Sequence, residues 1–210
     1  MKDRTHQVFT VLKNELSAPK NIKDSFSTFK KCSYDKTNHR YLVENEMKVI
    51  DFDMLTKWFR TGKASADSLC FSNDHINLVE FKTGDQITIT RKREDLIKGV
   101  NNKINDSLFT IDNNIFANAE EEIKNVKLRF FLVIDSNVYA LDKYVETLAA
   151  LSISAPSLDD EKKEKVEMVL TALKNSTDHP DRFEEIDIWY SEHFDSQIQK
   201  YGIRDITEYC

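Results

Sequence analysis

The sequence predicts one α/β domain, spanning residues 1–210, in which helices flank a mixed β-sheet. Segments with the apolar spacing of helices alternate along the chain with short apolar or alternating runs that are typical of strands. The hydrophobic share of 40% is enough for a core, and neither an internal repeat nor a linker-like stretch divides the chain. Only 4 Gly and 3 Pro occur, which excludes fibrous and low-complexity classes.

The N-terminal half is predicted to contain three helices and three strands. Apolar residues recur every four positions from Val8, which indicates a first helix. The predicted elements are helices over 3–16, 22–31 and 54–59 and strands over 47–52, 68–71 and 76–81. Turn residues separate the last two strands, so we expect them to form a hairpin. Strand alternation would place Ile76, Leu78 and Glu80 on one face of the second strand.

The C-terminal half is predicted to alternate helices with two further strands. An apolar stripe from Leu96 to Ile111 indicates a long amphipathic helix. The run over 128–134 is nearly all apolar, as expected for an interior strand that is buried on both faces. The predicted elements are helices over 93–111, 141–151 and 158–174, a strand over 185–190, and a short helix ending near 201.

Charge, cysteine usage and hydropathy limit the function classes. The N-terminus lacks the apolar core of a signal peptide, and no apolar run reaches the roughly 18 residues of a membrane span, which predicts a cytoplasmic protein without membrane contact. Three cysteines, far apart in the chain, exclude a disulfide framework and offer no zinc pattern. The formal net charge of −6 argues against a surface that is basic throughout, so nucleic-acid binding would need a local basic patch and a metal ion.

Two acidic residues and a lysine are predicted to meet at one end of the hairpin. Asp67 precedes the first strand, and Glu80 and Lys82 lie two apart on the second, so their side chains share a face. Hydrolysis of a phosphodiester requires charge stabilisation and a hydroxide near neutral pH, and a divalent cation supplies both. Hard Mg²⁺ or Mn²⁺ is bound by a few carboxylates with water, and a nearby lysine can position the attacking water.

This pattern resembles the PD-(D/E)XK nuclease superfamily, in particular its RecB-like members and small phage and bacterial relatives. The resemblance rests on Ala66-Asp67, followed thirteen positions after Asp67 by Glu80-Phe81-Lys82, and then on a helix and a buried strand. It implies a restriction-endonuclease-like fold and a metal-dependent nuclease, a hydrolase acting on DNA or RNA. By the resemblance, Asp67, Glu80 and the Phe81 carbonyl would bind Mg²⁺ or Mn²⁺, and Lys82 would assist catalysis.

Several assignments stay open at the level of sequence. The basic residues that could contact phosphates are Lys103, Arg91, Lys92 and Arg93. The N-terminal residues that could complete the metal shell are Glu15, Glu44, Glu46 and His6. Asp74 is an alternative ligand to Asp67, although a turn position is its simpler interpretation. DNA or RNA, endonuclease or exonuclease, one metal or two, and a homodimer or another protein partner are undecided. The competing class is a non-catalytic phage or mobile-element binding protein on the same fold.

Overall fold

A computed structural model of the chain describes residues 4–15, 22–72, 74–83, 90–135, 158–178 and 180–209. Its helices are α1 (Arg4–Glu15), α2 (Phe29–Cys32), α3 (Phe52–Phe59), α4 (Thr90–Thr110), α5 (Glu121–Lys124), α6 (Leu158–Ser176) and α7 (Phe194–Lys200). Its strands are β1 (Phe26–Thr28), β2 (Tyr34–Asp35), β3 (Arg40–Tyr41), β4 (Lys48–Asp51), β5 (Ser68–Ser72), β6 (His75–Lys82), β7 (Lys127–Ile134), β8 (Phe183–Tyr190) and β9 (Ile203–Arg204). A π-helical turn, Ile111–Ile115, follows α4 directly.

Seven of the described strands form one mixed sheet in the order β1-β4-β5-β6-β7-β8, and β9 pairs with β5. The pairs from β1 through β6 are antiparallel, whereas β6, β7 and β8 are parallel to one another. Strands β2 and β3 form a separate antiparallel hairpin. Because β6, β7 and β8 run in the same direction, their carboxyl ends lie at the same edge of the sheet, where parallel sheets commonly carry their sites.

Helices cover both faces of this sheet. On the first face, apolar residues of α1, α4 and α6 pack against Leu78 and Phe130. On the second, Phe29 of α2 and Phe194 of α7 pack against Val79. Along β6 and β7, apolar residues at every second position belong to the core on the first face, and those at the positions between them belong to the core on the second face. This alternation arises because successive side chains of a strand point to opposite faces of the sheet. This mixed α/β architecture confirms the predicted fold class at the level of sheet and flanking helices.

Most predicted elements are confirmed, with boundaries that differ by a few residues. The hairpin of β5 and β6, the interior strand β7 and the amphipathic helix α4 all form where they were predicted. The helix predicted over 141–151 lies outside the described residues.

The helix predicted over 22–31 is wrong in part. Residues Phe26–Thr28 form β1 instead, because they pair with β4 in register from Phe26↔Ile50 to Thr28↔Lys48. The Thr28 hydroxyl then accepts a hydrogen bond from the Lys31 amide at 3.2 Å and caps the short helix α2. Apolar spacing at Phe26 and Phe29 fits both a helix and a strand followed by a turn, so tertiary pairing decides between them.

Candidate metal centre

Glu80 places a carboxylate inside the protein at the carboxyl end of β6. Its side chain follows Ile76 and Leu78 on the first face of the sheet, and it is 0% exposed to solvent. An ionised carboxylate in such a place is stable only with charged or hydrogen-bonding partners, because burial removes its hydration. Two lysines, from different elements, supply those partners.

Lys103 of α4 bridges Glu80 and Asp67. Its Nζ donates to Glu80 Oε2 at 2.7 Å and to Asp67 Oδ1 at 3.2 Å. Lys82 Nζ lies 2.7 Å from the other oxygen, Glu80 Oε1. This second contact has the distance of an ion pair but poor hydrogen-bond geometry, so within the described part of the chain Glu80 Oε1 accepts no hydrogen bond. A buried carboxylate oxygen therefore keeps lone pairs available to a further ligand.

Asp67 stands at the entrance to β5 and is held there by backbone contacts. Its Oδ2 accepts a hydrogen bond from the Phe81 amide at 2.7 Å, and its carbonyl accepts one from the Phe52 amide at 3.2 Å. The N–H and C=O of one strand residue point to the same side of that strand, so the Phe81 carbonyl also faces the Asp67 side. Asp67 thus extends the β5–β6 pairing with its side chain, and its Oδ1 contacts the Lys103 ammonium.

Burial and electrostatic repulsion from Glu80 raise the pKa of Asp67 to about 7. Lys103 and Lys82 act in the opposite direction, but their positive charges do not cancel the effect of burial. Burial by itself would lower the pKa of Lys103, yet the carboxylates of Glu80 and Asp67 outweigh it and the pKa is raised. Lys103 therefore remains an ammonium group at neutral pH.

The polar edge of α4 holds the segment that leads into Asp67. Ser107 Oγ accepts a hydrogen bond from the Ala66 amide at 3.0 Å, and Asp106 Oδ2 accepts one from the Ala64 amide at 3.1 Å. Lys103 and Ser107 lie one turn apart on the helix, so one face of α4 contacts both the carboxylate pair and its backbone support. The role of Asp106 was missed from the sequence, since an acidic residue on a helix usually faces solvent. Ser107, by contrast, was visible as a polar residue within an apolar stripe.

The donor set at this centre suits a hard divalent cation with few protein ligands. Among the described residues no group of three or more His, Cys, Asp or Glu side chains could hold a metal ion. Mg²⁺ is commonly bound by one or two carboxylates, with water completing an octahedral shell. Asp67 and Glu80 are such a pair, and Glu80 Oε1, which accepts no hydrogen bond among the described residues, is a buried oxygen atom suited to this role. The residues present therefore fit Mg²⁺ or Mn²⁺.

The basic residues predicted at the start of α4 do not contact the carboxylates. Arg91 and Lys92 are exposed and Arg93 is half-buried, all in the first turns of the helix. Lys92 precedes Lys103 by eleven residues, close to three helical turns, so both face the same side at a separation of about 16 Å. The structure thus brings together Asp67, Glu80, Lys82 and Lys103. The three basic residues 91–93 lie apart from this group, at the N-terminal end of the same helix.

The described N-terminal candidates for a further ligand do not reach the carboxylate pair. Glu44 and Glu46 both pair with Lys30, at 2.7 and 3.4 Å, and are largely exposed. His6 is exposed and its ring packs against Tyr209, with centroids 5.0 Å apart. The side chain of Glu15 lies outside the described residues.

Asp74 is excluded as a substitute for Asp67 by its place in the hairpin. It occupies the turn before β6, six residues from Glu80. A strand of that length separates the two positions by about 20 Å. Asp67 is therefore the residue of the two that lies beside Glu80.

The fold and the site define a mixed α/β protein with a carboxylate–lysine cluster at the carboxyl edge of its parallel strands. No family model matches the chain, and no curated protein or solved structure matches it either. Within the described ranges, no helix combines the length and apolar character needed to cross a membrane.

Proposed function

We propose that this protein is a metal-dependent nuclease that hydrolyses phosphodiester bonds of nucleic acid on a restriction-endonuclease-like fold. One observation carries the proposal: Asp67 and Glu80, thirteen positions apart, both lie within hydrogen-bonding distance of the Lys103 ammonium. A single cation thus already bridges the two carboxylates, with the Lys82 ammonium beside them. Two acidic residues and a lysine at adjoining strand ends are the group that the PD-(D/E)XK resemblance implies.

The order of elements supports the same proposal. The β5–β6 hairpin carries Asp67, Glu80 and Lys82, α4 follows it, and the buried strand β7 then pairs parallel to β6. The resemblance implies this order of hairpin, helix and buried strand. The polar face of α4 also contacts the site, as the resemblance implies for the helix that follows the hairpin.

The residues of the site divide the chemical tasks among them. Asp67, Glu80 and the Phe81 carbonyl would hold Mg²⁺ or Mn²⁺, which supplies a water ligand of lowered pKa and neutralises charge on the phosphate. Lys82 is 28% exposed and so can reach a bound substrate, where its ammonium would position the attacking water or neutralise a phosphate oxygen. Lys103 offsets the repulsion between the two carboxylates and keeps them together. Burial of Glu80 excludes bulk water from behind the site.

Metal binding and cleavage test the proposal separately. Calorimetric titration with Mn²⁺ should show binding to the wild-type protein and none to Glu80→Ala. The protein with Mn²⁺ should then cut at least one of single-stranded DNA, duplex DNA and RNA, and Lys82→Ala should stop the cleavage while the protein stays folded. Absence of Mn²⁺ binding would overturn the assignment of the metal centre.

A non-catalytic phage or mobile-element binding protein is the second candidate function. Two observations favour it: the formal net charge is −6, and Lys103 and Lys82 already neutralise the carboxylates without a metal. In that case the acidic surface would contact a protein partner. Mn²⁺ binding without cleavage of any of the three substrates would support this function over the nuclease.

A further inference from the structure

The β2–β3 hairpin exposes a pair of tyrosines. Tyr34 and Tyr41 lie directly opposite each other across the two strands and are 39% and 42% exposed. Their ring centroids are 5.0 Å apart, and the ring planes are tilted by 46°. Large aromatic side chains with so much surface in water are available to stack on another planar group.

Four cationic side chains lie on or beside this hairpin, and two of them are neutralised by ion pairs. Lys30 pairs with Glu44 and Glu46, and Arg40 pairs with Asp135. Lys30 Nζ lies 5.1 Å from the centroid of the Tyr41 ring, and Glu44 pairs with this ammonium at 2.7 Å. Lys31 and Lys36 are exposed. Charge and aromatic surface therefore coincide on this hairpin.

Two contacts attach the hairpin to the sheet edge that carries the candidate metal centre. Thr83, which follows Lys82 at the end of β6, donates its hydroxyl to Asp35 Oδ2 at 2.5 Å. Arg40 forms an ion pair with Asp135, which follows β7 and is almost fully buried. The Asp135 amide in turn donates to the Lys82 carbonyl at 3.3 Å. The hairpin that carries the tyrosine pair is thus held next to Lys82 by these contacts.

We propose that Tyr34 and Tyr41 stack on bases of a single-stranded nucleic acid and that the hairpin guides this strand toward the carboxylate edge. The proposal rests on the proposed nuclease function and adds a substrate class to it. Single-strand binding sites combine basic side chains, which follow the phosphates, with aromatic rings on which successive bases stack. Bases in a duplex are already stacked on one another and present no free faces to such a pair. Preference for single strands, of DNA or RNA, follows from this geometry.

A cross-strand tyrosine pair also stabilises its own hairpin. The test therefore needs a substitution that keeps apolar packing and strand propensity but removes the ring. Isoleucine at both positions meets this requirement, whereas phenylalanine at both positions keeps the stacking surface. Met168, which is 50% exposed on α6, offers the control variant Met168→Ala.

Fluorescence anisotropy with labelled single-stranded DNA, single-stranded RNA and duplex DNA, all in EDTA, measures the expected preference without cleavage. The wild-type protein should bind a single strand more tightly than the duplex. Tyr34→Ile/Tyr41→Ile should weaken single-strand binding by roughly tenfold or more, since stacking contributes about 1–3 kcal/mol per base. The double phenylalanine variant and Met168→Ala should bind as the wild type does. Comparing the DNA and RNA arms identifies which strand is preferred.

Three outcomes overturn the tyrosine proposal: no binding to either single strand, tighter binding to the duplex, or equal affinity in the folded isoleucine variant. None of these bears on Mn²⁺ binding or on its loss in Glu80→Ala, which test the metal centre. Conversely, Glu80→Ala should lose cleavage and keep single-strand binding in EDTA. A failure of one proposal is thus distinguishable from a failure of the other.

Discussion

Strand β6 carries a charged cluster at each end, and the two clusters differ in burial. At the amino end, His75 Nε2 lies 2.5 Å from Glu184 Oε2, and Arg129 donates to Glu184 Oε1 at 3.1 Å. Glu184 remains 48% exposed there, and its hydrogen bond with His75 lowers its pKa. At the carboxyl end, Glu80 is fully buried between Lys82 and Lys103.

This difference in burial indicates which of the two charged clusters costs the folded protein more free energy. An exposed ion pair keeps much of its hydration and contributes little to stability. A buried carboxylate loses its hydration, and apolar residues of the same volume often stabilise a protein as well or better. Glu80 lies in a row of apolar side chains on β6, so packing by itself would favour another apolar residue there. Its presence supports a chemical role for the carboxyl end of the strand.

The largest expected effect is the loss of Lys103. Lys103→Met removes the bridging charge and leaves Asp67 and Glu80 facing each other, so the free energy of unfolding should fall by about 3 kcal/mol. Urea denaturation at neutral pH measures this change, and added Mn²⁺ should recover part of it. Lys98→Met, which replaces an exposed lysine of the same helix, should change stability by less than about 0.5 kcal/mol. Equal effects of the two substitutions would contradict the assigned role of the bridge.

A smaller effect is expected from pH in metal-free protein. The pKa of Asp67 is about 7 in the folded state, well above the value near 3.9 of an unfolded aspartate. Between these values the folded protein holds a proton that the unfolded chain has lost, so this group makes stability fall as pH rises from about 4 to about 7.

Comparison of the wild type with Asp67→Asn isolates this contribution. The wild type should lose on the order of 2 kcal/mol relative to the variant across that pH range, as measured by urea denaturation. This loss is smaller than the free energy that corresponds to the full pKa difference, because the Asp67 side chain is 20% exposed and solvent screens its charge. Parallel stability curves for the two proteins would show that Asp67 ionises normally.

The smallest effect is expected at the amino end of β6. Glu184→Gln removes the charge that pairs with His75 and Arg129, yet it should cost less than about 1 kcal/mol because Glu184 is 48% exposed and keeps much of its hydration. Urea denaturation of this variant beside Lys103→Met gives the comparison directly. A loss as large as that in Lys103→Met would remove the distinction between the two ends.

Much of the fold was predictable from local patterns. The apolar run of β7, the stripe of α4 and the alternation along β6 each reflect burial that a period of two or 3.6 residues encodes. Strands β2 and β3 were missed because two residues each are too short to show any period. Strand β1, which lies within the helix predicted over 22–31, depended on pairing with β4, which no local pattern contains.

The candidate site was predictable only in outline. Asp67, Glu80 and Lys82 could be proposed to converge because hairpin geometry relates them, and their distances agree with that proposal. Lys103 was predicted as a possible phosphate contact, whereas the structure places its ammonium between the two carboxylates. The support from Asp106 could not be foreseen, and Ser107 was visible only as a polar residue within the apolar stripe, since both contacts depend on how α4 packs against the segment before β5.

The sequence by itself determined the class of the fold, the hairpin and the order of strand and helix, because burial patterns are local and repeat along the chain. Only the tertiary structure decided that Lys103 rather than an N-terminal residue completes the carboxylate pair, and that the β2–β3 hairpin is attached beside Lys82. Contacts between distant segments depend on the angle at which a helix packs and on the register of strands, and neither is encoded in the spacing of residues within one element.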